Sequence, residues 1–180
     1  MDLGNYSWLT TIGTLPRMVS EALKIWDVRE KLGPASNPVI LDWAQEVGGD
    51  VARTYKTDET PWCGLTMAYI AKRAAKTPPA KPLWARNWTK FGTDSAQPDL
   101  GDIIVFKRGL GGHVGLYVGE DETHLHILGG NQGNRVCISR YDESLILAVR
   151  KPPYMNEPAT ARPYFLHNDG RLNSNAFADV

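Results

Sequence analysis

Only two of the 180 residues are cysteine, Cys63 and Cys137. That is too few for a disulfide framework in a chain of this length, so both read as free thiols and stability must come from a buried core. The chain also lacks net charge, because twenty basic residues offset twenty acidic ones. Composition therefore gives no support for a general polyanion-binding role, though it leaves local basic patches open. No run approaches the ~18 apolar residues of a membrane-spanning helix. The opening stretch MDLGNYSWLTTIG has neither the basic nor the apolar region of a secretory signal, so the expectation is synthesis and folding in a cytosol. Internal repeats are missing too. What remains is ordinary for one soluble domain: 42% apolar and 22% charged residues.

The first half reads as helices. LPRMVSEALKIWDVREKLGP carries apolar residues at roughly helical spacing, with Pro16 in the first turn and Gly33-Pro34 at the end. SNPVILDWAQEVGG reads as a second helix, with Asn37 as cap, Pro38 at the first position and Gly48 as terminator. Residues 50–59 read as polar loop. A third helix is expected from Thr60 as cap and Pro61 as first residue, and PLWARNWTKFG as a short fourth. After residue 100 the texture changes to short β-rich runs: DIIVF, HVGLYVG, HLHIL, RVCIS and LILAVRK. Helices first and closely spaced strands later predict an α+β fold, with N-terminal helices packed on an antiparallel sheet. The domain is expected over residues 1–152, followed by an irregular C-terminal tail over 153–180.

TPWCG, residues 60–64, places Cys63 in the first turn of the third helix. Free backbone N–H groups and the positive end of the helix dipole favour a thiolate there, and the same groups can hold a developing oxyanion. A nucleophilic thiol also needs a base. Of the four histidines, His113 opens a predicted strand just after a glycine-rich loop. HVGLYVG and HLHILGGN are joined by a turn near residues 121–122, so residue 113 should pair near 130 or 131. Asn131 is at that level and becomes the expected orienter of the imidazole. His126 is the alternative third residue. It pairs about four residues, or ~13 Å, further along, and the apolar alternation favours a register that points it to the same face as His113. A zinc site of His124 and His126 with His113 or Cys63 is a further alternative. Cys137, mid-strand, reads as core. Trp8, Trp26, Trp43, Trp84 and Trp88 read as core candidates, and Trp62 and Trp84 also as residues that could line a glycan or peptide cleft.

The order Cys, His, Asn is that of papain-like hydrolases. DETPWCGLTMAYIAKRA, QPDLGDIIVFKRG, GGHVGLYVGED, HILGGNQGNRVCISRY and LILAVRKP together resemble the NlpC-type and CHAP papain-like cysteine peptidases and amidases, in particular a phage and bacterial peptidoglycan hydrolase subgroup. The resemblance covers about residues 15–152. It implies an amide-bond hydrolase, a cysteine endopeptidase or an N-acetylmuramoyl-L-alanine amidase. Cys63 would be the nucleophile, His113 the base and Asn131 the polar third residue, with no cofactor and no metal. Many relatives carry Asp or Gln where this chain has Trp62. The implied partner is peptidoglycan, attacked by a monomer that binds no nucleic acid and reaches the wall by holin release, virion delivery or secretion. Rival classes that fit the same residues are an injected antibacterial effector, a protein-directed cysteine protease and a non-catalytic wall-binding or tail module.

Overall fold

The second helix forms as the sequence predicts. The Asn37 side chain accepts from the Val39 N–H, Pro38 takes the first position, and α2 (Pro38–Val47) ends at Gly48 with φ of 79°. The computed structural model describes residues 1–173. The first helix is much shorter than expected: α1 covers Arg17–Leu23 only. Asp27 takes a φ of 60°, and from there the chain pairs with residues 134–136 instead of continuing as helix. The Asp27 N–H donates to the Val136 carbonyl at 2.9 Å, the Val136 N–H to the Val28 carbonyl at 2.9 Å, and the Glu30 N–H to the Asn134 carbonyl at 2.8 Å. Part of the expected polar loop is a short helix, α3 (Gly49–Thr54). The central helix, α4 (Cys63–Arg73), starts two residues later than expected, with Trp62 rather than Thr60 at the cap and Cys63 rather than Pro61 as first residue. It is buried on almost every side, as a helix in the middle of a core must be. The expected fourth helix is a 3-10 turn over Ala85–Lys90.

Six strands follow among the described residues: β1 (Thr93–Asp94), β2 (Ile103–Arg108), β3 (Gly111–Glu120), β4 (His124–Gly129), β5 (Cys137–Asp142) and β6 (Ile146–Lys151). They form one antiparallel sheet in the order β1-β6-β2-β3-β4-β5. The fold is α+β, with helices packed on a six-stranded antiparallel sheet. Alternation sorts the side chains between two apolar clusters. Ile103, Val105, Val114, Leu116, Val118 and Leu128 join the helices in the large one. Ile104, Phe106, Tyr117, Leu125 and Ile127 form a smaller one on the opposite face.

The β3–β4 register is the expected one near the site, pairing Leu116 with Leu128 and Tyr117 with Ile127. It shifts by one residue after Tyr117, so that Gly119 pairs with His126. His126 does not share a face with His113. It alternates with Leu125 and Ile127 and lies on the helix side with Leu128, whereas His113 pairs with Phe106 of the smaller cluster.

Residues 153–173 are irregular but docked. Tyr164 and Leu166 are buried in the large cluster. The Glu120 N–H donates to the Tyr164 carbonyl at 2.9 Å and the Leu166 N–H to the Glu120 carbonyl at 2.7 Å. Trp8 Nε1–H reaches the Gly170 carbonyl at 3.0 Å, so the two ends of the described chain clasp each other. The rest of the expected tail, 174–180, lies outside the described residues. Among the described residues, no helix is long and apolar enough to cross a membrane.

Candidate active site

Cys63 is the first residue of α4, where helical N–H groups have no partner within the helix. Its side chain is buried, with 6% of the residue exposed. Burial pushes the thiol pKa up. The backbone N–H groups of Val114, Gly64 and Cys63 itself, and the charge of Arg108, oppose that push without cancelling it. The Val114 contact seats the sulfur against β3 at the residue that follows His113.

Two glycines permit close packing around the start of α4. A Cβ at Gly64 would lie 2.5 Å from the carbonyl oxygens of Pro82 and Leu83, which cross the start of α4. A Cβ at Gly130 would lie 2.0 Å from Thr66 Oγ1 and 2.8 Å from the Trp62 ring.

His113 is 1% exposed. Its Nε2 lies 2.8 Å from Gln132 Oε1. The Gln132 amide nitrogen donates to the Ile127 carbonyl at 3.0 Å and to the Cys137 carbonyl at 2.6 Å. That orientation leaves Oε1 to accept, so the hydrogen-bond network assigns the proton to Nε2 and leaves Nδ1 as the basic nitrogen. The Tyr141 ring stacks on the imidazole at 4.9 Å and 9°, and Phe106 stacks on Tyr141 in turn. Burial pulls the His113 pKa down to about 4, against the Gln132 hydrogen bond and with the help of Arg108. Burial thus favours the neutral form of both groups, the thiol and the imidazole.

The third residue is a correction. Asn131 sits in the turn after β4 with φ of 58°, and His113 is held by its neighbour Gln132. The structure joins His113 to Gln132 and not to Asn131, while Cys63 meets the same strand one residue on, at Val114, whose side chain faces the helices in the large cluster. His126, the alternative, is fully buried and committed elsewhere. Its Nδ1 is 2.6 Å from Tyr6 Oη and its Nε2 is 2.8 Å from Asp121 Oδ2, which Arg140 also holds at 2.6 Å. Among the described residues, no three His, Cys, Asp or Glu side chains gather as metal ligands.

Trp62 is also corrected. It is fully buried, donates to Glu30 Oε2 at 3.1 Å and packs on Trp43, so it props the start of α4 and lines no cleft. Trp84 is 69% exposed and borders a groove with Val51, Leu83 and Pro82, whose carbonyls lie over Gly64. Gln132 was the residue sequence reasoning missed. Its signal was a second amide, one position on, in GGNQGN.

No protein-family model and no curated protein matches this chain. The site therefore rests on its own chemistry. A thiol at a helix N-terminus, with backbone N–H groups around it and an oriented imidazole on the adjoining strand, has the components of nucleophilic acyl transfer.

Proposed function

We propose that the chain is a papain-like cysteine hydrolase of the NlpC/CHAP type that cuts an amide bond in peptidoglycan, within the stem peptide or between muramic acid and L-alanine. The observation that carries this reading is the seating of the Cys63 sulfur against the Val114 N–H, next to a His113 whose Nε2–H is held by Gln132. The cell-wall substrate comes from the motif resemblance over residues 15–152.

His113 takes the thiol proton on Nδ1. The thiolate attacks the scissile carbonyl carbon, and the backbone N–H groups around the sulfur, those of Cys63 and Gly64 at the start of α4, supply donors for the oxyanion. The imidazolium returns its proton to the leaving amine as the C–N bond breaks, giving a thioester. Water, deprotonated by His113, hydrolyses the thioester and frees the thiol. Because the thiol is nearly enclosed in the resting state, substrate binding has to open a path to it.

One observation favours a second reading, a binding module that keeps the fold without the chemistry: thiol and imidazole are both buried and neutral. A digest of purified peptidoglycan by the wild type and by Cys63→Ala, read by mass spectrometry, separates the two. New fragments from the wild type alone are expected, and their masses name the bond. If several wall chemotypes yield no fragments with both proteins folded, the hydrolase reading fails. A protein-substrate screen then separates the module from a protein-directed protease.

A further inference from the structure

The chain has no net charge, but its cations are not evenly placed. Arg17, Lys76 and Lys90 line one groove of about 830 Å³, together with Tyr154 and Met155, and no Asp or Glu lines it among the described residues. The described ion pairs use other cations, such as Lys24 with Glu21, Arg73 with Glu46 and Lys151 with Asp99. The groove is built from three separate parts of the fold. Arg17 opens α1, Lys76 follows the C-terminal end of α4, and Lys90 ends the 3-10 turn. The 153–156 segment closes one wall. Lys76 is fixed there by the Pro153 carbonyl and by the Tyr154 ring, whose centroid is 5.0 Å from Nζ. Cys63 lies at the other end of the 11-residue α4, about 16 Å away by helical rise.

We propose that this groove binds an anionic ligand carrying several oxyanion groups, phosphate or carboxylate. The groove is too large for one such group and takes its cations from three parts of the fold. Burial, and then the neighbouring Arg17, lower the Lys76 pKa, so the two cations repel each other across a partly dry space. A bound anion relieves that repulsion. The site does not depend on the hydrolase reading, and its ligand need not be the one cleaved.

Titration calorimetry on the full chain tests it with two probes, tripolyphosphate for the phosphate source and hexaglutamate for the carboxylate source. Binding of either in the micromolar range is expected. It should weaken at least tenfold in the triple variant Arg17→Gln, Lys76→Gln, Lys90→Gln, and fall as salt rises. Whichever probe binds identifies the source. If Lys76→Gln loosens the 153–156 wall by circular dichroism, the double variant Arg17→Gln, Lys90→Gln carries the same expectation. Failure of both probes to bind below 1 mM, or equal binding by the variants, overturns the proposal.

Discussion

Every polar atom of the Gln132 amide is engaged, Oε1 by His113 and Nε2 by the carbonyls of Ile127 and Cys137. Gln132→Ala leaves those partners buried and unsatisfied. It is expected to lower stability by about 1–3 kcal/mol and to slow the proposed hydrolysis by ~100-fold or more as the imidazole loses its orientation. Asn131→Gly keeps the φ of 58° and should leave both unchanged. Urea unfolding and digestion rates read the pair, and the reverse pattern would restore Asn131 as orienter. Counting outward from the hairpin turn came within one residue. It failed because β4 ends at Gly129, and the left-handed Asn131 turns the chain so that the following side chain points back. Local backbone reversal of that kind is invisible to strand periodicity. The protonation state gives a second test. With the thiol pushed up and His113 pulled down, alkylation of Cys63 by iodoacetamide, followed by peptide mass mapping, should climb with pH through and beyond the ordinary thiol range near ~8.5. A rate plateau between pH 5 and 7 would mean a preformed thiolate–imidazolium pair and sink the neutral resting state.

The start of α4 is where three elements crowd, and the sequence marks it with small residues. The carbonyls of Pro82 and Leu83 belong to backbone, which cannot rotate away from a Cβ at Gly64. Gly64→Ala is therefore expected to destabilise the fold by about 2–4 kcal/mol although alanine favours helix. Chemical denaturation measures it, and a stabilised variant would show that the 82–83 segment yields easily. Which elements were legible follows from the same distinction between local and distant causes. α2 carries its own punctuation, Asn37-Pro38 before and Gly48 after, and forms where expected. The five long strands appear where short β-rich runs predicted them, because alternation reflects two buried faces. α1 stops early because residues 27–30 find extended partners at 134–136, more than a hundred positions away. α3 was missed because six residues give too few turns for a periodic signal.

Burial gives the whole molecule opposing responses to acid. His113 and His126 are both held below their ordinary pKa, mainly by burial; for His126 the pull outweighs Asp121. Each contributes stability that is present above about pH 6.5 and lost as pH falls, because the unfolded chain then binds protons that the folded chain refuses. For His113, with a folded pKa of about 4, the loss runs to about 3 kcal/mol. The His126 share also threatens the clasp between chain ends, since its ring accepts from Tyr6, whose ring packs on Gly170. Asp102 works the other way. It is 1% exposed and its Oδ1 has no hydrogen-bond partner, and burial raises its pKa to about 6. Its ionised form weakens the fold at pH 7, and that penalty is relieved as pH falls from about 6 toward 4, because here the folded state binds the extra proton. The wild type should thus lose little stability between pH 6 and 4. Asp102→Asn removes only the carboxylate's response. The variant is expected to be more stable than wild type at pH 7, by up to about 3 kcal/mol, and to lose stability more steeply from pH 6.5 to 4. Urea unfolding at pH 7, 6, 5 and 4 reads both curves. If they run parallel, the Asp102 carboxyl is not titrating in that window, and the flat acid response has another source.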